Sequence, residues 1–111
     1  MKLQPIDDAH FQSEVLESHV PVLVDFTAAW CAPCRIMKPV LEELADERPD
    51  MRFVTIDVDA NPVTAAFYGV LSMPTFMVFR GGEPVQTLIG ARPKSRFERD
   101  LPERDPQLLA Q

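Results

Sequence analysis

The sequence predicts an α/β fold, a central mixed β-sheet with helices on both faces. Three observations carry this. Residues 22–58 read as strand, helix, strand, the shape of a unit with two parallel strands. Two later apolar runs flank Gly81-Gly82 and read as a hairpin, which adds an antiparallel pair. The full order is helix, strand, helix, strand, helix, strand, strand, helix, which places helices on either side of one sheet.

Each element has its own warrant. Asp7-Asp8 can cap a first helix with Phe11, Val15 and Leu16 on one face, and Pro21 ends it. Val22 to Phe26 is apolar almost throughout, as a strand covered on both faces should be. The next helix is expected from near Cys34. Its apolar stripe is Met37, Val40, Leu41, Leu44 and Ala45, its solvent side Glu42, Glu43, Asp46 and Glu47, and Pro39 should kink it. Met51 to Val58 alternates as a strand. Asn61-Pro62 supplies a cap and a first-turn proline for a short helix ending near Tyr68-Gly69. Thr75 to Arg80 and Val85 to Ile89 are the hairpin strands. Pro93 opens a last helix carrying Phe97 and Leu101, and Pro102 stops it. The tail over 103–111 is expected to fray.

The 111 residues suit one domain spanning 1–111, and 46% apolar with 25% charged residues is an ordinary globular balance. A net charge of −6 with no basic stripe argues against nucleic acid as a partner. The longest apolar stretch is far short of a membrane span. The polar start, Met1-Lys2-Leu3-Gln4-Pro5, lacks a signal-peptide core, so a reducing, cytoplasmic location is expected.

The only two cysteines stand in Trp30-Cys31-Ala32-Pro33-Cys34, directly after the first strong strand. A loop closed by residues so near in sequence restrains little of the unfolded chain, so stability is a poor reason for the pair. At a strand-to-helix junction, unpaired helix N–H groups favour a thiolate. Zinc would need two more ligands; His10 and His19 lie upstream with eight residues between them, outside zinc-finger spacing. Both histidines read as solvent-facing helix residues, and no metal site is expected. Asp25 sits inside an apolar strand. It is either a satisfied strand residue or, with the cysteines six and nine residues later, a proton acceptor with a raised pKa.

The string from Asp25 through Trp30-Cys31-Ala32-Pro33-Cys34 to Arg35 resembles the active site of the thioredoxin family. So do Asp57-Val58-Asp59-Ala60-Asn61-Pro62, Tyr68-Gly69-Val70 and Met73-Pro74-Thr75, with Gly81-Gly82 and Gly90-Ala91 following in order. The likeness runs from about Phe11 to Leu101. It implies the thioredoxin fold and a protein-disulfide reductase cycling between dithiol and disulfide. It further implies no bound cofactor, with electrons from NADPH through a flavoprotein thioredoxin reductase. Disulfide-containing proteins are then the substrates, and a monomer is expected.

On that footing Cys31 is the nucleophile, Cys34 the resolving thiol, and Asp25 the group that exchanges a proton with Cys34. Trp30 could be core, but reads better as a partly exposed ring beside the sulfur. The resemblance makes Met73-Pro74 a cis peptide that turns the Met73 backbone toward an extended substrate. Trp30, Ala32, Pro33, Val70, Met73, Pro74, Gly90 and Ala91 together form the expected substrate patch.

Some positions depart from the family pattern. Ala32 replaces the usual glycine, a change able to move the redox potential by tens of millivolts, roughly a kcal/mol. Thr55 stands where a lysine is frequent, so nothing obvious favours ionised Asp25. Thr27 replaces a frequent aromatic. Two rival readings remain open from sequence: an oxidase or isomerase of the same fold, and a binding module whose thiols are idle. Against the first, Ala32-Pro33 lacks the histidine such relatives often place between the cysteines.

Overall fold

The structure, a computed structural model, describes residues 3–104. The tail expectation therefore falls, beyond Arg104, outside the described residues.

Five strands form one mixed sheet in the order β1-β3-β2-β4-β5. They are β1 (Gln4–Pro5), β2 (Val22–Thr27), β3 (Arg52–Asp57), β4 (Thr75–Arg80) and β5 (Glu83–Ile89). Parallel pairing joins β2 to β3 and β1 to β3; β4 is antiparallel to both β2 and β5. The helices are α1 (Ala32–Glu47), α2 (Pro62–Phe67) and α3 (Lys94–Asp100). Among them no helix is long and apolar enough to cross a membrane. β1 was not expected: its two exposed residues carry no apolar alternation, and only pairing with β3 makes them a strand.

Strand alternation sorts the interior into two layers. Leu23, Phe53, Phe76 and Val78 face α1 and α3, where they pack with Met37, Leu41, Leu44, Phe97 and Leu101. Phe76 meets Phe97 edge to face at 4.8 Å. Val22, Val24, Phe26, Val54, Ile56 and Phe79 face the other way, against Phe11, Val15 and Ala65. The helix α1 runs unbroken through Pro39. Gly81 and Gly82 both have positive φ, 59° and 81°, as a two-residue hairpin turn between right-twisted strands requires.

The first expected helix is corrected. Its residues form a 3-10 turn, Asp8–His10, and then a π-helical turn, Gln12–Leu16, closed by the Glu17 N–H on the Gln12 carbonyl. The two aspartates at the start of this segment are used differently. Asp7 caps as expected, accepting the His10 N–H at 2.9 Å. Asp8 turns away to α2, where its carboxylate accepts the Val63 and Thr64 N–H groups at 3.1 and 2.9 Å and the Thr64 hydroxyl at 2.6 Å. Asn61 consequently makes no side-chain cap for α2. Its Oδ1 accepts the Asp8 N–H at 3.0 Å instead. His10 is exposed and bonded to Asp7, whereas His19 lies in an exposed bend rather than a helix.

Candidate active site

The strand β2 delivers the chain to the start of α1, and the cysteines sit at that junction. Cys31 is the residue that caps α1, and Cys34 lies in its first turn, with Pro33 between them. The two sulfurs are bonded to each other, with the α-carbons 5.3 Å apart. The Cys34 N–H donates to the Cys31 sulfur at 3.2 Å. The same donor and the helix dipole would favour negative charge on Cys31 in the dithiol form. α1 thus starts two residues earlier than expected, with Cys31 itself as the capping side chain.

Asp25 lies on the α1 side of β2, with Thr55 opposite on β3 and Phe76 opposite on β4. Only 5% of it is exposed. Its Oδ1 has no hydrogen-bond partner among the described residues. The Thr55 hydroxyl donates to the Asp25 backbone carbonyl rather than to its carboxylate. Burial alone pushes the Asp25 carboxyl up to about 7. Asp25 and Cys34 line the same cleft of about 330 Å³, and Cys31 does not. The cleft gives the buried acid a way to solvent.

The residues expected at the substrate face fall into several groups. Trp30 is 65% exposed, and its indole N–H donates to Asp59 Oδ2 at 2.8 Å. Ala32, Pro33 and Ala91 are exposed. Met73 is half-buried and packs on the small cluster of Ala28, Cys31 and Cys34. The Met73-Pro74 bond is cis. Gly90 donates its N–H to the Pro74 carbonyl at 2.9 Å, which ties the end of β5 to that bond. Its φ of 93° is what requires glycine there, since a Cβ would meet open space. Val70 packs instead with the second layer of the core.

Arg35, Lys38 and Asp57 also line the Asp25 cleft, and sequence reasoning had not singled them out for it. Arg35 and Lys38 follow the cysteines on α1, but nothing in the local sequence says which turn of that helix overhangs Asp25. Asp59 as the partner of Trp30, 29 residues away, had no local signature. Among the described residues no group of three or more His, Cys, Asp or Glu is placed to hold a metal ion.

Residues 2–103 match the family model described as Thioredoxin. The chain belongs to the thioredoxin family. A thioredoxin of Pyropia yezoensis is 49% identical over 102 residues, covering 91% of this chain and 95% of that one. One from Streptomyces clavuligerus is 46% identical over 100 residues, covering 90% and 94%. The chain is also 46% identical over 104 residues to a bifunctional thioredoxin reductase/thioredoxin of Mycobacterium leprae, covering 93% of this chain and 23% of that protein. With its Cys31–Cys34 pair at bonding distance, this family member is a protein-disulfide oxidoreductase that works as a thiol–disulfide reductase. The family needs no bound cofactor.

Proposed function

We propose that the residues divide the reductase reaction as follows. Cys31 attacks a substrate disulfide as thiolate. A mixed disulfide forms, and the first substrate sulfur leaves as thiolate. Cys34 gives its proton to Asp25 through the cleft they share, then attacks the Cys31 sulfur. The second substrate sulfur leaves, and the Cys31–Cys34 disulfide closes. Two electrons have passed to the substrate. Asp25 suits this task because a carboxyl titrating near 7 is about half ionised at neutral pH, so it can both take and return a proton. The observation that carries the assignment is that Asp25 shares its cleft with Cys34 and not with Cys31.

Trp30, Ala32, Pro33, Met73, Pro74, Gly90 and Ala91, with Val70 behind them, form the substrate face. A flavoprotein thioredoxin reductase returns the electrons from NADPH. The fused Mycobacterium leprae relative supports that partnership, because its name joins the two activities in one chain. The protein acts as a monomer in the cytoplasm.

Substitution separates the roles. Cys31→Ser should abolish reduction of a protein disulfide such as that of insulin. Cys34→Ser should instead accumulate a mixed disulfide, visible as a reducible covalent adduct by mass spectrometry. Normal turnover by the Cys34→Ser protein would show the assigned roles to be wrong.

A further inference from the structure

A second concavity begins where the surface over the disulfide ends. It holds about 250 Å³, and Tyr68, Val70, Leu71, Thr75, Thr87 and Ile89 line much of it. No Asp, Glu, Lys, Arg or His lines it. Small-molecule pockets begin at about 300 Å³, so this volume suits one large side chain better than a whole ligand.

The fold creates the concavity. β5 is an edge strand, and α2 has only six residues. Thr87 and Ile89 pair with Met77 and Thr75 on β4, and Met77 belongs to the layer on the α2 side. The short helix leaves the β5 end of that layer uncovered. Apolar residues on its walls are open to solvent, Leu71 94% exposed and Ile89 62%, and Phe67, outside the lining, is 79% exposed next to Tyr68. The Phe67 ring stands edge-on to Tyr68 at 4.9 Å, which extends the apolar shoulder. One exposed apolar residue is ordinary, whereas several around one uncharged groove mark a binding surface.

Continuity with the disulfide identifies the occupant. Met73 packs against Cys31 and Cys34. Leu71 stands two residues before it, at most about 7 Å of chain away. On the facing wall Ile89 adjoins Gly90, which is bonded to Pro74. A protein whose disulfide is exchanged at Cys31 must cover this lip, and an extended chain advances about 3.3 Å per residue.

We propose that the groove receives an apolar side chain of the protein substrate, two or three residues from its reacting cysteine. The reductase then favours disulfides flanked by Leu, Ile, Met or Phe. This rests on the reading that exchange takes place at Cys31.

The test uses disulfide-linked peptides that differ at one position, Leu or Ser, placed one to four residues from the cysteine on either side. Hydroxyethyl disulfide, too small to reach the groove, is the control. The rate constant for oxidation of the pre-reduced protein is measured for the unaltered chain and for Leu71→Ser. The unaltered chain should prefer Leu to Ser about tenfold at one position two or three residues away. Leu71→Ser should bring that ratio within about twofold and leave the hydroxyethyl disulfide rate unchanged. Equal rates for Leu and Ser at every position would overturn the proposal while leaving the reductase intact. Equal loss of the small-disulfide rate in Leu71→Ser would also overturn it, because the effect would not be selectivity. A dimer seen by light scattering and abolished by Leu71→Ser would give the groove to a second copy. Failure of the unaltered protein to react with hydroxyethyl disulfide would instead remove exchange at Cys31, and with it the ground of the proposal.

Discussion

Asp25 and Asp50 are buried to nearly the same degree, 5% and 3% exposed, yet their surroundings are opposite. Asp50, in the turn after α1, is gripped by Arg48 through two bonds of 2.9 and 2.8 Å. The hydrogen bonds from Arg48 hold its carboxyl below the usual carboxylate range, against the opposing effect of burial. Among the described residues no cation is bonded to Asp25, and burial drives its carboxyl up to about 7. A buried charge that is paired and hydrogen-bonded serves structure. A buried acid left unpaired is destabilising, so its presence beside Cys34 needs a chemical reason.

Breaking the Arg48–Asp50 pair should give the largest stability loss. Arg48 also donates to the Pro102 carbonyl at 3.0 Å, so it fastens the chain after α3 to the end of α1. Arg48→Ala leaves an unpaired buried carboxylate and should cost about 3–5 kcal/mol in urea unfolding at pH 7. Replacing both partners, as in Arg48→Met with Asp50→Leu, should recover much of that loss. The folded fraction of either variant should reduce disulfides normally, since the pair lies away from the cysteines. A loss under 1 kcal/mol for Arg48→Ala would mean that the pair is no anchor.

Removing Asp25 should act in the opposite direction, and only in one pH window. Its folded pKa lies above the unfolded value, so between pH 4 and 7 the unfolded state holds fewer protons. Stability conferred by the wild-type residue is therefore greatest at acid pH and falls as pH rises toward 7. The shift from 3.8 to about 7 sets the size of that fall at no more than ~4 kcal/mol. Asp25→Ala should flatten this slope in the oxidised protein, gaining on the unaltered chain between pH 4 and pH 8. The rate of mixed-disulfide resolution should meanwhile lose its rise through pH 7. An identical pH profile in both proteins would remove Asp25 from proton transfer. Asp50 titrates in the other window: its contribution is present above pH 4 and is lost on acidification.

Much of this contrast was legible beforehand, and the limits have physical causes. A lone carboxylate inside Val22–Phe26 announces desolvation whatever surrounds it, so the direction of the Asp25 shift followed from the sequence. The expected and observed bounds of strand β4 agree, because TFMVFR is short, apolar and bounded by Pro74 and Gly81. The Arg48–Asp50 pair left no comparable trace: two charged residues beside Pro49 look like a solvated turn until α3 and Pro102 close over them. β1 and the groove beside Leu71 are likewise products of assembly. Neither an exposed two-residue strand nor a leucine in a loop declares itself by periodicity. The cleft residues Arg35 and Lys38 stood on a helix already identified, but nothing local says which of its turns overhangs Asp25.

The smallest expected effect concerns Asp8, a third carboxylate that lies between the two extremes. It is only half-buried, and its partners are backbone and hydroxyl groups rather than a cation. Burial works to raise its carboxyl, but the bonds from Thr64 and Val63 outweigh it and the net shift is downward. Asp8→Ala should cost about 1 kcal/mol, the usual value of an N-terminal helix cap, because it orphans the first N–H groups of α2. Asp8→Asn should recover part of that, since an amide oxygen can still accept one of these bonds. The cap's contribution should be present above pH 4 and fade on acidification, as for any carboxylate whose pKa is lower in the folded state. α2 leads directly into Val70 and Met73, so hydrogen exchange should quicken at Thr64 to Tyr68 before it does in β2 or β4. If exchange there stayed as slow as in the unaltered protein, the Asp8 clamp would be incidental to α2, held by Ala65 in the core alone.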